Sequence, residues 1–478
     1  MRGGTYEQGA STEVALRDFA PDLDPTSAGI LLDLENAVPT IKGFAAGHSA
    51  VQFGSPVPLV GPGDEVIGAI VAYFSDGTSC LYVGTRTHLW LYTLPIVTGP
   101  TIVDGGGLLV APPDRWHFFQ FGDDVIAVAR NNPVQVAHGV NATFGPLGGG
   151  PAATNGDAAL GISVAGIAFL FGNFGGGVQW FSSAAGVDND WIPDVQTLAA
   201  SGLLTDYPGP VTAAAPFYRT AIVFKEQAIW SGSFVGPPFS WSFQLISDLT
   251  GTRGQESVVV LPDSIAFLGT DDFYLTTGTV PIRIPNSLKE WFFANADPLN
   301  LQRVQGWYDP EMSIITWHFV STNTPIPGVM DLYVSYNVRA KRWAKGRRLM
   351  TIVPQPPVSP VQLAPLYFDE TNTPQGLSGP PGAMILFTGW TGMPGQLTQL
   401  MRIRAKYNVY PGTQNLVSWS TNILSNVPPF PPLTIPTLGF DDWFNLRVTS
   451  RYHQVSLATS GPAEVMAFAY EGRLAGIR

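Results

Sequence analysis

VIGAIVAYFSDGTSCLYVGTRTHLWLYT, Val66 to Thr93, decides the fold of this chain. Two runs of β-branched and aromatic residues flank Ser75-Asp76-Gly77-Thr78, a turn tetrad, so the segment reads as a β-hairpin. The apolar runs are nearly continuous rather than alternating, as in strands buried on both faces. The same grammar returns in WHFFQFGDDVIAVARNNPVQVA (Trp116–Ala137) and ISVAGIAFLFGNFGGGVQWFS (Ile162–Ser182). It recurs in the segments Thr220–Ile246, Ser257–Ile284 and Met312–Gly346. The spacing, about 45–60 residues, lies near the roughly 40–50 of a propeller blade. Such units cannot bury their own faces and stack radially around an axis. The expectation is an all-β chain with a β-propeller-like repeat of five or six blades over 61–393. A pair of β-sandwiches with long loops is the competing reading.

Outward from the repeats, the pattern fades. Residues 1–60 are interrupted by Gly, Ala and Pro, and are expected to join residues 394–478 as β extensions forming a platform. MRIRAKYNVY (Met401–Tyr410), a Pro-rich loop (Asn426–Phe440) and the closing segments from Asn445 carry that C-terminal part. Helix is scarce. SLKEWFFANADP (Ser287–Pro298) is the best candidate, with Ser287 and Glu290 in capping-box spacing and Pro298 as the stop.

Composition agrees with many short strands and much covered surface. The 478 residues include 52 Gly and 42 Pro, which punctuate the chain too often for long helices. Charged residues make up 13%, about half the usual share of roughly 25%. With 45% hydrophobic residues, this points to an obligate oligomer. Cys80 is the single cysteine, so no internal disulfide forms. The first residues lack the apolar core of a signal peptide. The uncharged stretch Gly161–Phe181 holds six glycines and reads as strands, so no membrane span is expected.

Catalytic signatures do not emerge. The six histidines (48, 88, 117, 138, 318, 453) stand singly, without metal-ligand spacing, and His318 reads as a strand histidine. No nucleophile elbow, phosphate loop or dinucleotide fingerprint is present. Four acidic pairs, Asp123/Asp124, Asp188/Asp190, Asp271/Asp272 and Asp441/Asp442, are formal candidates for glycoside hydrolysis. All sit beside Gly or Asn, where Asp serves turns. The expectation is no enzyme, no cofactor and no metal. One charge run stands out: Arg339, Lys341, Arg342, Lys345, Arg347 and Arg348 in an acidic protein. It reads as a solvated blade edge or, more sharply, as an interface with an acidic partner surface or with nucleic-acid phosphates.

A succession of segments adds a family. VQWFSSAAGVDNDWIP (Val178–Pro193) is followed by FKEQAIWSGSF (Phe224–Phe234) and the long unit Thr250–Ile284. EWFF (Glu290–Phe293), VQGWYDPEMSIITWHF (Val304–Phe319) and VSYNVRAKRWAKG (Val334–Gly346) come next, and the chain closes on Asn445–Arg478. This order resembles the tail nozzle and hub proteins of short-tailed bacteriophages. The resemblance implies a propeller-based subunit and a homohexameric ring at the distal end of a virion tail, assembled in the host cytoplasm. It further implies a platform facing the tail adaptor, contacts with tail fibres, and passage of double-stranded DNA during ejection without sequence-specific binding. Charge fits that role: six copies at −11 each give about −66, which repels DNA phosphates. Two alternatives stay open, a receptor- or glycan-binding propeller and a propeller glycosidase.

Overall fold

The computed structural model describes residues 11–61, 63–96, 98–149, 158–172, 176–356, 365–392, 396–421 and 436–477. Among these residues, the repeats form a β-propeller. Val66–Tyr73, Ser79–Thr85, Leu89–Thr93 and Thr101–Ile102 build the first blade as an antiparallel meander. Five more four-stranded sheets follow, within 117–146, 158–203, 213–247, 259–283 and 305–350. Leu366–Phe368, Pro374–Gly376 and Val51–Gln52 make a seventh, three-stranded sheet.

Seven blades replace the expected five or six. The seventh escapes periodicity because its strands are two or three residues long, and its outer strand comes from the far N-terminal side. It shuts the ring. Ile352, Leu366 and Phe368 pack with Val71, Leu81 and Tyr92 of the first blade. Val353 and Tyr367 pack with Trp307 and Met350 of the sixth. Equivalent cores join every other neighbouring pair of blades, which explains the continuous apolar runs.

Two devices set the distance between blades. Trp116 lies flat on the first blade, where a Cβ on Gly84 would stand 2.3 Å from its Cδ1. Its indole Nε1 donates to the Thr85 carbonyl at 2.7 Å. The second device is a glutamine clamp. Gln305 donates from Nε2 to the Val353 carbonyl and accepts from the Val353 N–H, both at 2.8 Å. Gln255 does the same to Ala214 at 2.9 and 2.7 Å, and Gln120 to Tyr73. Each amide stands in for one residue of strand between blades that share no ladder, so buried backbone groups stay satisfied.

The remaining described strands form the platform. One sheet has seven strands, Thr437–Leu438, Phe444–Ser450, Gln396–Val409, Glu464–Ile477, Phe44–Ala46 and Ala37–Pro39, with Ser11–Ala15 also on Glu464–Ile477. The other has six, led by Asp18–Phe19, Ile30–Glu35, Met384–Thr388 and Tyr452–Ser460. Leu34, Leu386, Leu416 and Leu457 meet Ile403, Val465 and Phe468 in one core, which runs on into the fifth and sixth blades. The propeller is thus an insertion between two halves of the platform. Two boundaries move accordingly. Val51–Gln52 leaves the expected 1–60 segment for the seventh blade, and Met384–Thr388 and Thr391–Gly392 leave the expected 61–393 propeller for the platform. Much of the Pro-rich loop Asn426–Phe440 lies outside the described residues.

The one α-helix among the described residues, Lys289–Asn295, lies between the fifth and sixth blades, with Phe292 buried against Phe273 and Phe319. Its expected capping box does not form. Leu288 occupies the N-cap position, and Asp22 of the platform accepts from the N–H groups of Glu290 and Trp291 at 2.7 and 2.9 Å.

Candidate functional site at the mouth of the channel

The first strand of each of the first six blades faces the axis, and Ile352 and Val353 take that place in the seventh. Small residues there, including Gly68, Ala69, Gly161, Ala214 and Ala215, leave a cavity of about 720 Å³. Aromatic and amide groups (Tyr73, Phe119, Gln255, Gln305) complete its wall.

Where the chain enters those inner strands, a second cavity of about 240 Å³ opens, lined by Arg115, Arg130, Arg253 and Arg303 beside Asp114 and Glu256. Arg115, Arg253 and Arg303 ride on the connections that lead into the second, fifth and sixth blades, and Arg130 on a turn of the second. Three of these four cations are ion-paired: Arg303 with Glu65 at 3.3 Å, Arg253 with Glu226 at 3.0 Å, Arg130 with Asp114 at 3.9 Å. Glu65 also holds Arg86, whose guanidinium donates to the Val110 carbonyl at 3.0 Å.

Arg115 differs. Its Nε and Nη1 are shut off from solvent and lack a hydrogen-bond acceptor among the described residues, as does Nε of Arg303. Burial pushes the Arg115 pKa down to about 10, partly offset by Glu256, so the group stays charged at neutral pH. A shielded guanidinium without an acceptor is costly, and a carboxylate or phosphate oxygen relieves it. Burial also pushes the neighbouring His117 down to about 4, so its imidazole is neutral at pH 7. Sequence reasoning passed over these arginines because residues 86, 115, 130, 253 and 303 share no local pattern. Only blade stacking gathers them.

The basic run from 339 to 348 divides. Arg342 donates to the carbonyls of Thr40 and Gly43 at 2.8 and 2.9 Å, and Lys345 pairs with Asp33 at 2.5 Å. Both staple the sixth blade to the platform. Arg348 lies over the rings of Tyr333 and Tyr367, 5.4 Å from each. Arg339, Lys341 and Arg347 are exposed, with Arg347 at 3.9 Å from Glu35.

The acidic pairs serve several local contacts. Asp123 accepts from Ser75, Asp190 from Ile192 N–H, Asp271 from Tyr274 and Arg283, and Asp441 from Arg402. His318 is fully buried against Tyr333, and desolvation, then Arg348, holds its pKa well below the ordinary range. No described helix is long and apolar enough to cross a membrane.

No family model and no curated protein matches the sequence. Solved structures with a similar course include the WD40 β-propeller domain of Doa1, at TM-score 0.41 and 9% identity, covering 70% of this chain and 96% of that one. The Neurospora crassa Pan2 WD40 domain gives 0.41 and 7%, covering 70% and 97%. The computationally designed Ika8 protein gives 0.40 and 7%, covering 76% and 99%. At such scores they add little to what the strand order itself establishes. The chain is a seven-bladed β-propeller set into a two-sheet platform.

Proposed function

We propose that the chain is a structural ring subunit, the nozzle at the distal end of a short phage tail, whose copies surround and close a channel for double-stranded DNA. The observation that carries this reading is the platform. Its strands and turns leave Tyr410, Phe440 and Leu474 with 64%, 114% and 63% of their surface exposed. Leu474 lies opposite Thr398 and Tyr410 just past the other end of the same strand, so they are separate apolar points that another copy can cover, not one patch. The order of segments shared with tail nozzle and hub proteins supports the same role, as does the net charge of −11. Adaptor and fibre proteins are the further partners of such a ring. Arg339, Lys341 and Arg347 are the members of the basic run free to meet them, whereas reversing Arg342 breaks the subunit's own platform joint.

A second reading, a receptor- or glycan-binding propeller, draws on the unmatched Arg115 guanidinium, which suits an anionic sugar. One preparation tests both. Mass photometry of the tag-free chain is expected to show six times the 51.3 kDa subunit mass. A strict monomer at micromolar concentration overturns the ring. Saturable binding of a heparin oligosaccharide by that monomer, lost in Arg115→Gln, installs the second reading in its place.

A further inference from the structure

Away from the channel, three side chains that are dispersed in sequence converge. Asp124 opens the second strand of the second blade, and His138 ends the third strand directly opposite it in the antiparallel register. Asp188 arrives from the third blade, on the connection after Gln179–Ser182. His138 Nδ1 lies 3.1 Å from Asp124 Oδ1 and 3.8 Å from Asp188 Oδ2. One ligand atom from each residue falls within 4.8 Å of the others.

Proximity of acids alone means little, but Asp188 adds an independent observation. Its side chain is 10% exposed, and Oδ2, the oxygen aimed at His138, is closed to solvent and lacks a hydrogen-bond partner among the described residues. Its backbone is held in place. Its carbonyl accepts from the buried Trp191 indole at 2.6 Å, and Trp191 sits in the core joining the second and third blades. A buried carboxylate oxygen held without a donor is destabilising. His138 Nδ1 approaches Asp124 to 3.1 Å, and its 3.8 Å gap to Asp188 is too long for a hydrogen bond. A metal ion suits all three. Bonds of about 2.0–2.2 Å arranged tetrahedrally separate ligand atoms by roughly 3.4 Å, between the two gaps seen here.

We propose that Asp124, His138 and Asp188 bind one divalent transition-metal ion, Zn²⁺ by preference, as a clip between the second and third blades. One imidazole with two carboxylates fits the borderline ions and ranks Zn²⁺ above Mg²⁺ or Ca²⁺, which take oxygen ligands. His138, 63% exposed, leaves a path for the ion and a fourth position for water. The absence of histidine spacing led the sequence reading to expect no metal. Strand register and blade packing, which spacing does not encode, make the cluster.

The test uses the tag-free full chain, stripped with EDTA and exchanged into metal-free buffer at pH 7.5. Calorimetric titration with ZnCl₂ is expected to show one saturable equivalent and a raised unfolding temperature. His138→Ala and Asp188→Asn, both with unchanged circular dichroism, are expected to bind at least tenfold more weakly. Co²⁺ in place of Zn²⁺ should give the visible absorption of a four-coordinate site. Absence of a one-equivalent isotherm, undiminished Zn²⁺ affinity in His138→Ala, or equal affinity for Mg²⁺ overturns the proposal.

Discussion

Asp18 shows how one residue sets the pH response of the joint between platform and propeller. It accepts from the Trp343 N–H at 2.6 Å, close to Arg342, yet burial dominates and pushes its carboxyl up to about 7. A folded-state pKa above the unfolded value means that the protonated form suits the fold better. The benefit is fully present below about 3.8 and is lost as pH rises through 7. Asp18→Asn keeps the acceptor and removes the charge. Its thermal unfolding is expected to be more stable than wild type at pH 8, by on the order of 1 kcal/mol after allowing for screening, with the difference vanishing towards pH 4. A variant no more stable at pH 8 shows that Arg342 balances the carboxylate. The arginine mouth belongs to the same scale. Each of its cations is ordinary in sequence and becomes informative only when shielded beside the others.

At the scale of elements, the helix Lys289–Asn295 is tied to a distant segment. Asp22 caps it from the platform, so Asp22→Ala removes acceptors from two N–H groups. The expected cost is about 0.5–2 kcal/mol, seen as a lower denaturation midpoint. Ser287→Ala, which removes the side chain the sequence singles out, should be close to neutral. The helix itself was legible, because the Ser287–Glu290 spacing and Pro298 bracket it. Its cap was not, because local spacing cannot reveal a partner some 270 residues away. The six longer blades were legible for a related reason. Burial between neighbours forces apolar runs such as Val66–Tyr73, and those survive in sequence as repeats. The seventh blade has strands too short to carry a period. The metal-binding trio and the arginine mouth depend on packing between blades, which leaves no periodic trace.

The molecule as a whole hangs on one closure, where Val51–Gln52 meets Pro374–Gly376. The ring of Phe53 lies against the bare Gly376 backbone, and a Cβ there would stand 1.5 Å from its Cε2. Gly376→Ala should therefore loosen the seventh blade, costing roughly 1–3 kcal/mol as other overpacking changes do. Limited proteolysis should then cut near residues 51–57 in the variant before any other blade. Unaltered digestion would place the strength of closure in the cores beside Ile352 and Tyr367 instead. The insertion of propeller into platform also governs the order in which the chain can fold during synthesis. Asn36 bonds to the Ala383 carbonyl, 347 residues further along. At about 5–20 residues per second, a ribosome needs roughly 20–70 s to cover that distance. For all that time the first platform strands have only their local pairs, Asp18–Phe19 with Ile30–Leu31 and Ala37–Pro39 with Phe44–Ala46, while the blades are completed. The platform, the body proposed to join copies into a ring, therefore forms only after Gln396–Val409 and Glu464–Ile477 have been made. Products that stop before those strands lack the proposed contacts between copies.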